Sequence, residues 1–101
     1  MLVKISAKTI HISDTLKQYM QDKLEAGVSK YVKSAVSAEI SITKQRHLIN
    51  THILVHEGIH PDKIIQSEAA EDDVQVSFDF ALEKALKQLR RFKRKNKTYK
   101  G

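Results

Sequence analysis

Apolar and polar residues alternate from the start of this 101-residue chain, with Val3, Ile5 and Ala7 separated by Lys4, Ser6 and Lys8. A period of two puts successive side chains on opposite faces of a strand, so a strand with one buried face is predicted here. The alternation resumes at Ile10 and Ile12 and stops at Ser13, a residue suited to capping a helix; the carboxylate of Asp14 behind it suits the positive end of a helix dipole. Leu16, Met20, Leu24 and Val28 then recur every four residues, with Tyr19 beside them and Lys17, Gln21, Asp22 and Glu25 elsewhere on the wheel. That spacing predicts an amphipathic helix. Gly27 falls in its last turn, where glycine costs about 1 kcal/mol relative to alanine.

Three further alternating segments follow: Val36, Ala38, Ile40 and Ile42; then Ile49, Thr51, Ile53 and Val55; then Ile65, Ser67 and Ala69. The first two are linked around Gln45 to Leu48, and the next pair through Glu57 to Asp62, where Gly58 and Pro61 punctuate a loop. Links this short favour antiparallel neighbours. After Glu71, Asp72 and Asp73, which offer carboxylates to a helix N-terminus, Phe78, Leu82, Ala85, Leu89 and Phe92 step by three or four along one face. The element order is β-α-β-β-β-α, and the fold class is α+β: two layers, with a four-stranded sheet covered on one face by two helices. A single domain is expected over residues 1–96, with residues 97–101 as a basic C-terminal tail that frays because it has no core-facing pattern.

Composition narrows the chemistry. The chain has no cysteine, so neither disulfides nor thiolate metal sites can support the fold, and a reducing compartment is the natural fit. Hydrophobic residues make up 41% and charged residues 30%, which is ordinary for a globular domain able to bury its own core. No apolar run has the length of a signal-peptide core or a membrane span, so a cytoplasmic location and no membrane partner are expected.

The net charge of +6 is unevenly placed. From Ala81 to Gly101, nine Lys and Arg residues face Glu83 alone, a net +8 that leaves −2 for residues 1–80. At 100° per residue, Lys84, Lys87, Arg91, Arg94 and Lys95 fall opposite the apolar face of the last helix. Like charges three and four apart weaken an isolated helix by a few tenths of a kcal/mol per pair, so this face carries a folding cost that a polyanionic partner would explain. A membrane surface fits less well than nucleic acid, because Phe78, Leu82, Ala85 and Leu89 are committed to the sheet and not free to enter lipid. Phe92 and Tyr99 are the aromatics near the charge, and recognition through backbone and shape is expected before base stacking.

Other constellations have plainer readings. His52, His56 and His60 are spaced by four, but His52 and His56 fall in a predicted strand, where four residues span about 13–14 Å, too far for one ion. His47 and His11 have no marked partner. Glu71, Asp72 and Asp73 are explained by helix capping before a cation site or acid–base pair. No glycine-rich phosphate loop, nucleophile motif or HExxH string occurs, so no catalysis, cofactor, metal or small-molecule substrate is expected.

Several strings resemble a known family, the ribosome hibernation-promoting factors and ribosome-associated inhibitors, also called sigma-factor modulation proteins. Near the N-terminus these are Ile12 and Ser13, then Leu16, Tyr19, Lys23 and Leu24; in the second half, the run from Glu68 to Asp73 is followed by Asp79, Lys84, Gln88, Leu89 and Lys93. Nearly the whole chain is covered, and it resembles the short members. The departures are Val74-Gln75 where the family has Met-Tyr, about one extra residue around Ala26 to Ser29, and Glu57 to Lys63 in place of a glycine-rich hairpin. The resemblance implies a fold related to double-stranded RNA-binding domains and a site in the messenger and transfer RNA channel of the small ribosomal subunit. A bound factor would inhibit translation there by occupancy. It carries over Lys84, Lys87, Gln88, Arg91 and Lys93, with Lys17 and Lys23 of the first helix, as contacts to ribosomal RNA; Arg90, Arg94 and Lys95 join them on charge. It also implies a second small ribosome-pairing factor as a partner. A general double-stranded nucleic-acid-binding module and a protein-binding regulator of transcription are the alternatives the residues leave open.

Overall fold

The computed structural model describes the backbone of residues 2–31, 35–57 and 64–100, and side-chain surroundings for 2–31, 37–56 and 64–91. The element order is β1 (Leu2–Lys8), α1 (Asp14–Ser29), β2 (Ala35–Gln45), β3 (Leu48–Glu57), β4 (Ile64–Glu71) and α2 (Val74–Lys100). These are the six elements expected from the periodicity, in the expected α+β arrangement. The loop expected around Gly58 to Asp62 lies outside the described residues.

The sheet runs β1-β2-β3-β4 in space. β2, β3 and β4 pair antiparallel, as their short links require, whereas β1 pairs parallel to β2 with Ile5 opposite Ile40. A parallel pair needs a crossover between its strands, and α1 supplies it. Alternation then sorts the residues: Ala38, Ile40, Ile42, Ile49, Ile53, Val55, Ile65 and Ala69 are buried, together with Met20, Leu24 and Val28 of α1 and Phe78, Ala81, Leu82, Ala85 and Leu89 of α2. The opposite face carries the cross-strand row Ser6, Ser41, His52 and Glu68.

Ile10 and Ile12 do not extend β1. The strand ends at Lys8 because Thr9 takes a left-handed backbone, φ 63°, and ties itself to the end of β2: its hydroxyl donates to the Lys44 carbonyl at 2.8 Å and accepts from the Lys44 N–H at 3.1 Å. Ile12 is buried even so. Arg46, φ 59°, makes the corresponding left-handed turn between β2 and β3.

Both helix starts are capped by side chains. The Ser13 hydroxyl accepts from the Leu16 N–H at 3.2 Å, and the Asp73 carboxylate accepts from the Val76 N–H at 3.0 Å. Each satisfies a backbone donor that has no partner inside its own helix. Asp73→Ala is therefore expected to lower stability by about 1 kcal/mol, read as a shift of the urea midpoint with unchanged slope. At its other end α2 stays helical through Lys100, past Asn96 where the periodicity predicts fraying; no glycine or proline interrupts it before Gly101.

Gly27 does not end α1 early. It is buried, and a Cβ placed on it would come within 2.8 Å of Leu86 Cδ1 on α2. The missing side chain lets the two helices close at this level. One turn-pair earlier, the Tyr19 hydroxyl donates to Asp79 Oδ1 at 2.8 Å and its ring meets Phe78 edge-on, with centroids 6.0 Å apart. Contacts at Tyr19 with Asp79 and at Gly27 with Leu86 advance together along both chains, so α1 and α2 run side by side in the same direction.

Beneath α2 lies a buried polar cluster. Ser77 Oγ is 2.9 Å from the carbonyls of Ile49 and Ala69 and from Thr51 Oγ1, while Ser67 donates its hydroxyl to the Ala81 carbonyl at 2.6 Å. Ser77 has one proton and serves one carbonyl at a time; Thr51 can donate to it in turn. The cluster pins the first turns of α2 to β3 and β4.

Candidate nucleic-acid interface

The basic helix face is where the wheel puts it, but its residues divide into groups with different neighbours. Lys84 and Gln88 reach sideways to the sheet: the Lys84 ammonium donates to the Glu68 carbonyl at 3.1 Å, and the Gln88 amide donates to the Gln66 carbonyl. β4 is an edge strand, and these two side chains occupy carbonyls that would otherwise be open to a foreign strand. Both therefore have an edge-covering role beyond the one expected of them as RNA contacts.

Lys87, Arg90 and Arg91 are exposed. Lys87 and Arg90 line a groove of about 180 Å³ together with Glu83, Leu86 and Tyr31, on the side of α2 that faces the end of α1. Arg91 follows Lys84 by seven residues, almost two turns, and so stands in line with it along the helix. Lys93, Arg94 and Lys95 lie on the helical backbone of α2, with side chains outside the described residues.

On α1 the two expected lysines part company. Lys23 lies over the Tyr19 ring, its ammonium 5.9 Å from the centroid, and so joins the seam between the helices. Lys17 is exposed two residues before Tyr19, about 160° around the helix, and does not. Hydrogen bonding to Asp79, followed by burial and the nearby carboxylate charge, pushes the Tyr19 hydroxyl above its ordinary pKa of 10.0, with Gln75 acting in the opposite sense. Near neutral pH the phenol keeps its proton and the link to Asp79 holds.

Two aromatic residues near the charge were missed by the sequence reading. Phe80 is 46% exposed on the line that continues to Lys84 and Gln88. Its position two residues after core-facing Phe78, a rotation of about 200°, was the available signal. Tyr31 packs partly against the core and lines the groove beside Lys87 and Arg90. Only the pairing of the helices brings it there.

His52 and His56 sit on the sheet face away from the helices, both half-buried, with His52 Nε2 3.3 Å from Gln66 Oε1. His60 lies outside the described residues. Among the described residues, no cluster of His, Asp and Glu has the geometry of a metal site, and no helix is long and apolar enough to cross a membrane.

Fold and surface together define a two-layer α+β domain whose exposed helix is strongly cationic. Residues 3–97 match the family described as Sigma 54 modulation protein / S30EA ribosomal protein, and the chain belongs to that family. A curated relative, the ribosome hibernation promotion factor of Rhizobium meliloti (strain 1021), is 27% identical over 99 residues, covering 98% of this chain and 51% of the relative. The chain thus spans about half the length of that protein. Two solved structures share the fold, each with a TM-score of 0.78. A ribosomal subunit interface protein from Coxiella burnetii is 18% identical, with 92% of this chain and 98% of that one covered. The N-terminal domain of Thermus thermophilus Protein Y is 21% identical, with 91% and 99% covered.

Proposed function

We propose that this chain is a non-catalytic ribosome-binding factor that occupies the messenger and transfer RNA channel of the small subunit and promotes hibernation by blocking translation. One observation carries the reading: a family match over residues 3–97 coincides with an exposed basic helix face on which Glu83 is the last acidic residue before Gly101. Lys87, Arg90 and Arg91, with Lys93, Arg94 and Lys95 beyond them, would neutralise phosphates; Lys23 would add a charge from the α1 seam and Lys17 from the far side of α1. Phosphate contacts position a protein on RNA without reading its sequence, which suits a factor that acts by occupying space. No bond is made or broken in such a mechanism, so it needs no catalytic group or cofactor. Its partners are the small subunit and its RNA, together with a second small factor where ribosomes are paired; its compartment is the cytoplasm.

Co-sedimentation with purified small subunits across a salt series tests this. If about five residues contact phosphates, log affinity falls with log salt at a slope of about −3 to −5. Protein that stays at the top of the gradient at low salt would exclude the reading. Binding to short RNA duplexes as tight as to subunits would instead favour a general duplex-binding module.

A further inference from the structure

The groove between the end of α1 and the middle of α2 has the chemistry of a base-binding notch. Its α2 wall is the stripe Glu83, Leu86, Lys87 and Arg90, spaced three and four apart, and its α1 wall is Tyr31. Tyr31 is held just beyond the last turn of α1, where its N–H donates to the Val28 carbonyl at 3.0 Å. Leu86 lies over Gly27, whose missing side chain lets the helices approach, so the groove has an apolar side. At about 180 Å³ it is smaller than the roughly 300–1,000 Å³ of sites for drug-sized ligands, and it is on the scale of one planar ring system.

We propose that this groove takes a single unpaired guanine of an RNA, its ring against Tyr31 and Leu86 and its flanking phosphates on Lys87 and Arg90, with Glu83 accepting from its Watson–Crick edge. Unpaired RNA bases stack on aromatic side chains and are read along that edge, and any base can stack. Glu83 supplies the preference. An ionised carboxylate only accepts hydrogen bonds, and its two oxygens match two parallel donors. Guanine presents such a pair on its Watson–Crick edge, the ring N–H and the neighbouring amino group; uracil presents one ring N–H between two carbonyls that would repel the carboxylate. The cations explain why a base that arrives with its own phosphates is favoured over a neutral ring. This deepens the ribosome-binding reading and rests on it for the RNA.

The test uses the full chain and three RNA hairpins at constant salt: fully paired, with one bulged guanine, and with one bulged uridine. Binding is read by fluorescence anisotropy. The guanine bulge is expected to bind at least about fivefold tighter than the paired hairpin, the low end of a single stacking contact. Tyr31→Ala brings both bulged hairpins to the paired level and leaves the paired one unchanged, Tyr31→Phe retains the gain, and Glu83→Gln removes the preference for guanine over uridine. Circular dichroism confirms that each variant is folded. Equal binding of all three hairpins by the wild type, or equal losses on all three with Tyr31→Ala, overturns the notch while small-subunit binding stands on its own. If the wild type binds no hairpin at low salt, the notch is overturned; co-sedimentation then decides the ribosome reading separately.

Discussion

Replacing Lys87 and Arg91 together by glutamate is expected to lower affinity for small ribosomal subunits about a hundredfold, with the fold intact. Both side chains are exposed, so the reversal disturbs no packing. A hydrogen bond to a charged group contributes about 1.5–3 kcal/mol, and about 1.4 kcal/mol is a tenfold change in affinity, so two lost phosphate contacts reach a hundredfold before any repulsion is added. Each lost contact also releases one counterion fewer, and the salt slope should become shallower by about two. Co-sedimentation of the double variant at several salt concentrations reads both quantities. Lys84→Gln is the informative contrast. Its ammonium is already engaged with the Glu68 carbonyl on the edge of β4, so removing the charge should cost less binding than a change at Lys87. Unchanged affinity in the double variant, with the slope unchanged, would remove α2 from the interface.

The second large effect concerns the core. Phe78→Ala should destabilise the domain by about 3–5 kcal/mol, while Phe80→Ala, a change of the same kind two residues away, should cost far less. Phe78 is fully buried under the Tyr19 ring and among the sheet residues, so its loss forfeits transfer energy and leaves a cavity. Phe80 is 46% exposed and leaves none of comparable size. Domains of this size have about 5–15 kcal/mol in hand, so Phe78→Ala consumes much of it and should lower Tm by roughly 15–30 °C. Thermal melts of the two variants check the pair. Similar melting temperatures would mean that α2 is seated a fraction of a turn from where it is described.

The core-facing ladders explain why the elements themselves were legible. Periods of two and of 3.6 follow from backbone geometry, and Ala38 to Ile42, Met20 to Val28 and Phe78 to Leu89 each show one of them cleanly. Ser13 and Asp73 mark the helix starts because a side-chain oxygen at that position serves an orphan N–H wherever the helix later packs. The misreadings were equally local. The alternation at Ile10 and Ile12 could not reveal that Thr9 turns left-handed, because that turn is held by Lys44, 35 residues away. The Ser77 hydroxyl finds its acceptors on β3 and β4, at the Ile49 and Ala69 carbonyls, 28 and 8 residues away. Gly27 looked like a weak point in α1 and is the place where Leu86 of α2 fits.

For the candidate site, the sequence by itself determined which helix is cationic, since charge and helical phase are both properties of consecutive residues. It also determined that this face must be solvent-exposed, because the ladder opposite it is apolar. Only the tertiary structure decided how those cations are used: the parallel pairing of β1 with β2 and the edge position of β4 turn Lys84 and Gln88 toward backbone carbonyls. The side-by-side run of α1 and α2 sets Tyr19 against Asp79, leaves Lys17 on the far side and brings Tyr31 to Arg90. Such neighbours are separated by tens of residues, and no local period encodes a contact between elements. They are fixed by which apolar faces can be buried together, a property of the whole fold.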